Sequence, residues 1–258
     1  KGVYVKEQDK FKVITELRQN PYVLAVYELV GEFDMGVEFA APNPSKFNKE
    51  FKKLITANPL LKEYKIVLNI VTHIYPRHYL VNSAELLTLY GQKIVGGDRE
   101  KEEFKPEELA VLGVLLHKPT IRYTKLAKEA DLNIKTVKSI LQNLTKRNII
   151  RGCKYLIDKN KLDVTKNRLF LKLHNVDLEY ESRLLDFLHD NPEVIQLNKT
   201  VGDWDMEIDL ESLDKSRIRY IISKLREGFS DLIAGFNLIE VYDYHKRTYL
   251  PEYLFKEE

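Results

Sequence analysis

The sequence predicts an α+β fold in which two ferredoxin-like βαββαβ units flank a winged helix-turn-helix. Three observations predict it. First, Asn20-Pro21-Tyr22-Val23 leads into Gly31-Glu32-Phe33-Asp34-Met35, and Asn191-Pro192-Glu193-Val194 leads by the same spacing into Gly202-Asp203-Trp204-Asp205-Met206, at an offset of 171 in both cases. Second, Ile74-Tyr75-Pro76-Arg77-His78-Tyr79-Leu80 aligns with Tyr244-His245-Lys246-Arg247-Thr248-Tyr249-Leu250 at an offset of 170. Such self-similarity marks a duplicated unit. Third, the stretch between the copies has helical periodicity and a concentrated positive charge.

In the first copy, Val3-Tyr4-Val5 predicts a short strand, and Gln8 to Arg18 a helix with Phe11, Ile14 and Leu17 on one face. Asn20-Pro21 ends that helix, because proline cannot donate a helical hydrogen bond and restricts its predecessor. Tyr22 to Val30 is expected as a buried strand, and Phe33 to Phe39 as a strand with alternating apolar and polar residues. Asn43-Pro44-Ser45 starts a second helix with Phe47, Phe51, Leu54 and Ile55 at helical spacing. A strand over Glu63 to Tyr75 completes the split βαβ order, with both helices on one sheet face and the other face open.

The expected boundaries are residues 1–80 for the first unit, 81–104 for a helix fragment and linker, 105–161 for the winged helix-turn-helix and 162–258 for the second unit, whose repeated elements run from Asn167 to Tyr249. In the middle unit, Pro106 to His117 is a helix with Leu109, Leu112 and Leu116 inward, and Tyr123 to Ala130 a second. Asn133 caps a third from Ile134 to Arg147, with Ile134, Val137, Ile140, Leu141 and Leu144 inward. Ile149 to Arg151 and Lys154 to Ile157 are expected to pair as the wing.

Composition bounds the function. The chain of 258 residues has a net charge of only +2, but Lys105 to Lys154 carries +7 and the remainder −5. A basic module in a chain whose remainder is net acidic is the electrostatic footprint of nucleic-acid binding. No long apolar run or signal segment is present, so the expected location is cytoplasmic. The single Cys153 is read as a bland, partly buried thiol.

Lys135, Thr136, Lys138, Ser139, Gln142 and Asn143 face outward on the third helix and supply donors and acceptors suited to base edges, while Arg122, Lys146, Arg151 and Lys154 suit phosphates. The bland alternative is an ordinary solvated helix face. Gly31 and Gly202 are expected at positive φ between two strands. Asp34 and Asp205 follow the aromatic residues Phe33 and Trp204 onto the face the helices do not cover. There, with Asp203 and the turn N–H groups, they could receive the ammonium and carboxylate of an amino acid, or be plain exposed turn residues. Asp203, Asp205, Glu207 and Asp209 lie in a row and lack a calcium loop's glycine and distal glutamate, so no metal is assigned. The six histidines show no paired metal spacing and no serine or cysteine has a recognisable base, so neither catalytic residue nor cofactor is assigned.

These residues resemble a known family. Thr124-Lys125-Leu126-Ala127, Leu132-Asn133-Ile134-Lys135-Thr136-Val137 and Asn148-Ile149-Ile150-Arg151-Gly152 resemble the DNA-binding domain of the Lrp/AsnC (feast/famine) regulators. The Gly-Glu-Phe-Asp and Gly-Asp-Trp-Asp turns resemble that family's effector-binding (RAM) domain. The resemblance implies a regulator that binds double-stranded DNA as a homodimer or higher oligomer and takes an amino acid or related metabolite near those turns. The departure is the tandem arrangement, since the family has one reader followed by one effector domain.

Only 30 residues precede Gly31 and the first residue is Lys, which raises the expectation of a further DNA-binding unit ahead of this chain; the alternative is one reader with two sensors. Either way the two effector units could pair within one chain. Two other classes remain: a decarboxylase of haem-type chemistry in a branch of the same family, with His245, Arg247, Arg77 and His78 on a tetrapyrrole, and an assembly protein without DNA binding.

Overall fold

The computed structural model describes residues 7–81, 91–98, 100–153, 156–174 and 178–255. In chain order the elements are α1 (Glu7–Gln19), β1 (Val23–Val30), β2 (Met35–Phe39), α2 (Pro44–Ala57), β3 (Val67–Ile74) and β4 (Lys93–Gly96). Then come α3 (Pro106–His117), α4 (Tyr123–Glu129), α5 (Ile134–Lys146) and the single turn α6 (Lys159–Leu162). The last part holds β5 (Thr165–Leu173), α7 (Leu178–Asp190), β6 (Val194–Gly202), β7 (Met206–Ser212), α8 (Lys215–Gly228) and β8 (Ile233–Arg247). The strand expected at Val3–Val5 and the helix fragment after Val81 lie outside the described residues.

All eight strands form one mixed-connectivity, antiparallel sheet in the order β2-β1-β8-β5-β7-β6-β3-β4. The middle four come from the second copy alone. The first copy does not make a sheet of its own among the described residues: β1 and β2 extend the β8 edge, while β3 and β4 extend the β6 edge. Its second strand pairs with the other copy's last (Tyr27 with Tyr244), and its last strand pairs with the other copy's second (Thr72 with Asn198). Each edge strand thereby gains a ladder partner instead of exposing its N–H and C=O groups.

The two copied hairpins are built alike. Val26 pairs with Val37 and Leu197 with Ile208; Glu28 pairs with Met35 and Lys199 with Met206, every pair displaced by 171. Gly31 has φ +154° and Gly202 φ +139°, a region only glycine enters without strain.

Layers follow from strand alternation. Outward-facing Leu169, Leu171, Leu197, Ile208 and Leu210 pack under Leu184 and Leu188 of α7 and Ile218, Ile221 and Leu225 of α8. On the first copy Val13 and Leu17 of α1 cover Val23 and Val26. Phe11, expected on that face, is 69% exposed, because Val13 replaces it in the buried stripe. The opposite face, expected open, is filled: Ala25, Tyr27 and Leu29 of β1 pack against Phe170, Ile239 and Val241, with Phe33, Trp204 and Tyr244 beside them. That face is thus filled where β1, β8 and β5 run side by side, while Leu68, Ile70 and Val201 on β3 and β6 stay exposed.

Three further expectations are corrected. The stretch taken as linker contains β4, whose Lys93–Gly96 pairs with Ile74–Val71 of β3. Cys153 is exposed. The long final strand begins at Val67, four residues later than expected. Among the described residues no helix is long and apolar enough to cross a membrane.

Candidate nucleic-acid interface and the paired turns

α3, α4 and α5 close around Val111, Leu126, Ala127 and Val137, with Val114, Leu115, Ile121, Leu132, Ile140 and Leu141 packed against them. On α3 the face toward its neighbours is therefore Val111, Val114 and Leu115. Leu112 is buried as expected, while Leu109 and Leu116 are only half-buried. Ile134 is 42% exposed, since the first residue of α5 overhangs the cluster. Asp131, at φ +52°, turns the chain between α4 and α5, and Asn133 Oδ1 accepts from Thr136 N at 2.8 Å to cap α5. At the far end Arg147 donates to Glu102 (2.7 Å), Glu108 (2.8 Å) and the Glu103 carbonyl (2.8 Å), tying α5 to the start of α3.

This frame leaves one face of α5 in solvent. Lys135, Lys138, Ser139, Gln142, Asn143 and Lys146 are exposed, as is Arg122 just before α4, while Thr136 is half-buried behind its capped N–H. Lys138 Nζ stands 5.9 Å from the ring centroid of Tyr123, an exposed aromatic outside the expected contact set. Arg151 is turned back on the chain: its Nε donates to the Asn148 carbonyl at 2.9 Å, and its own carbonyl accepts from Lys93 Nζ at 2.6 Å. Lys154 lies outside the described residues. No strand forms at 149–153 or 156–157, so the expected hairpin is not formed by the described part of that segment.

The two copied turns come together around Lys65. Lys65 Nζ lies 5.1 Å from the Phe33 ring centroid and 5.3 Å from that of Trp204, and donates to Glu32 Oε1 at 3.1 Å. Asn237 Nδ2 donates to the other Glu32 oxygen at 2.5 Å. Asp205 is committed within the fold, because its carboxylate accepts from Leu173 N at 2.8 Å and from Lys172 Nζ at 3.0 Å. Asp34 and Asp203 are exposed. A ligand ammonium would thus not meet a free Asp205, contrary to the sequence expectation.

Across β5 and β7 runs a buried ionic array. Arg168, 2% exposed, donates to both Asp209 oxygens (2.6 and 3.1 Å) and to the Tyr27 hydroxyl, with Glu207 at 3.7 Å and Glu38 at 3.8 Å. Lys166 bridges Asp209 (2.9 Å) and the Tyr244 hydroxyl (2.8 Å). Burial would raise the Asp209 carboxyl, yet Arg168 and Lys166 hold it well below the ordinary carboxylate range. Burial keeps Glu207 above its ordinary value despite the pull of Arg168. Sequence reasoning missed this array. Its signal was a basic pair at alternate positions, 166 and 168, facing an acidic row at 207, 209 and 211.

The residues considered for a tetrapyrrole do not converge. Arg77 is held by Glu211 (2.6 and 3.1 Å), which also accepts from Tyr79 at 2.9 Å. His245 Nε2 lies 2.6 Å from Glu28 on β1, and the Arg247 guanidinium covers the Tyr244 ring at 4.9 Å. His78 Nε2 is buried and makes no hydrogen bond among the described residues. Arg77 and His78 follow β3, whereas His245 and Arg247 end β8, and three strands, β5, β7 and β6, separate β3 from β8.

No protein-family model and no curated protein sequence matches the chain. Solved structures share its fold. The siroheme decarboxylase NirDL, in complex with an iron-uroporphyrin III analogue, superposes with a TM-score of 0.60 at 12% identity over 97% of this chain and 74% of that one. An AsnC family transcriptional regulator from Agrobacterium tumefaciens gives 0.52 at 17% identity, over 59% of this chain and 100% of its own. A transcriptional regulator in complex with L-Met, from Neisseria meningitidis, gives 0.50 at 13% identity, over 57% and 94%. At these identities the likeness is one of fold.

Proposed function

We propose that the chain is a DNA-binding transcriptional regulator of the Lrp/AsnC kind. In this reading α3, α4 and α5 act as a winged helix-turn-helix with α5 in the major groove, and the two copies act as RAM-like units paired within one chain, responsive to a small metabolite. The observation that carries it is the row Lys135, Lys138, Ser139, Gln142 and Lys146, solvent-exposed on a helix whose start is capped and whose end is locked. Around it the segment 105–154 carries +7. Lysines neutralise phosphates, and Gln and Ser offer base-edge contacts. Arg151, folded back on the chain, drops out of the phosphate set.

The test is fluorescence anisotropy with duplex DNA from the upstream region of the protein's own gene and a scrambled duplex, at two salt concentrations. Sequence-dependent binding is expected. Arg122→Ala with Lys146→Ala should lower the salt slope by about two units, roughly one per lost phosphate contact, and Lys135→Ala with Lys138→Ala should lower affinity and sequence discrimination. Unchanged affinity in that double variant would sink the assignment of α5. Among the described residues there is one such helix, and reading two half-sites about one helical turn apart takes two.

A second reading, a tetrapyrrole enzyme, is favoured by the likeness to NirDL over 97% of the chain. Against it stand the commitments of Arg77 to Glu211 and His245 to Glu28. A Soret-band shift on adding iron-uroporphyrin, abolished by His245→Ala, would establish it.

A further inference from the structure

We propose that the meeting point of the two turns is an alkylammonium site, presently filled by the chain's own Lys65, and that its external ligand is an aliphatic amine, best a diamine. The proposal deepens the reading of the turns as a small-molecule site and rests on that reading, but not on DNA binding. Phe33 and Trp204 occupy equivalent positions of the two copies, and a single ammonium stands within 5.1 and 5.3 Å of their ring centroids. Ring faces attract cations, and the attraction grows where water is displaced. Glu32 supplies the carboxylate, accepting from Lys65 at 3.1 Å and oriented by Asn237 at 2.5 Å. Phe33 and Trp204 are themselves fixed by the core, packed against Phe170, Ile239 and Val241. The rings are thus pre-positioned, whereas Lys65 sits in the irregular stretch between α2 and β3.

The surroundings are rich in carboxylates, with the Lys172 ammonium donating to the Gly202 carbonyl at 3.2 Å. Asp34 and Asp203 are exposed beside the two rings, and Asp205 shares its carboxylate between Lys172 and a backbone N–H. One ammonium of a diamine would take the place of Lys65 between the rings and Glu32, and the second would face Asp34 or Asp203. An α-amino acid fits less well, since its carboxylate would enter among these acids. Lys65 belongs to the 58–66 stretch, which leads directly into the β3–β6 pairing between the copies.

Trp204 is the only tryptophan and reports on the site. Lys65→Ala empties it. Titration of wild type and Lys65→Ala with 1,4-diaminobutane, n-butylammonium and the neutral n-butanol, at matched ionic strength, reads Trp204 emission. The expected result is a saturable response of Lys65→Ala to both amines and not to n-butanol, at least ten times tighter than in wild type, and weakened at least tenfold again by adding Phe33→Leu. Circular dichroism of each variant establishes that it is folded. Folded Lys65→Ala that responds no more to the amines than to sodium chloride overturns the proposal, as does a response that Phe33→Leu leaves unchanged. A saturable response of wild type to an amino acid, with none of Lys65→Ala to amines, would keep the turns as a sensor while overturning the ligand class. No response to either would end both, and the DNA titration stands apart from all of these outcomes.

Discussion

The hairpin of β1 and β2 and the hairpin of β6 and β7 have the same register, the same positive-φ glycine and the same aromatic-Asp step, yet they live in different places. β7 lies between β5 and β6 and is buried along its whole length, whereas β2 is an edge strand of half-exposed residues. Glu38 and Asp209 are equivalent positions and both face Arg168, but Asp209 takes two hydrogen bonds from it while Glu38 stands off at 3.8 Å. Opposite Gly36 the Tyr27 ring fills the space a side chain would need, since a Cβ there would lie 2.1 Å from Tyr27 Cε2. The same local pattern therefore becomes a solvent-side support in one copy and a buried electrostatic core in the other. Neighbours, not local sequence, set the difference.

Breaking that asymmetry at its centre should have the largest effect. Arg168→Met would leave Asp209 and Glu207 buried with one cation fewer and should cost about 3–5 kcal/mol in urea unfolding, while Glu38→Gln should stay within about 0.5 kcal/mol. Equal losses from the two would erase the distinction drawn above. Next come the glycines: a Cβ at Gly202 would lie 2.5 Å from the Ile66 carbonyl oxygen, and one at Gly31 only 3.4 Å from Ile239 Cγ2. Gly202→Ala should therefore cost roughly 2–3 kcal/mol and Gly31→Ala about 1 kcal/mol by thermal melting.

The titration of the array gives a smaller, pH-dependent handle. The folded pKa of Asp209 is depressed, so the stability it contributes is present above its unfolded value of about 3.9 and is lost as pH falls further. Asp209→Asn should flatten that acid-side loss in urea midpoints, with the share owed to Glu211, likewise depressed by Arg77 against its burial, remaining. Smallest is the cap: Asn43 Oδ1 accepts from Lys46 N at 2.8 Å, and Asn43→Ala should cost about 1 kcal/mol. A larger loss would mean that α2 holds the first copy together more than its partly exposed packing indicates.

Local signals were legible wherever a residue acts on its own neighbours. Asn43 and Asn133 marked helix starts, Gly31 and Gly202 marked turns, and the polar face of α5 followed from its period. Phe11 and Ile134 were misplaced because helical spacing gives a stripe without saying which end of it is covered. Lys166 and Arg168 carried no signal of burial, because alternation separates two faces but does not say whether the polar one will be roofed. Asp205 looked available to a ligand, because nothing local revealed that Leu173 N and Lys172 would claim it.

By itself the sequence determined the repeated hairpin pattern, most of the order of helices and strands, and a basic three-helix segment in a chain whose remainder is net acidic. These depend on periodicity, backbone restriction and charge within a few residues of each position. Only the tertiary structure decided that the copies share one sheet, that the first is divided between both edges of the second, and that Phe33, Trp204 and Lys65 meet. Strand edges pair with whichever ladder the packed helices leave within reach, and that choice depends on residues more than a hundred positions apart.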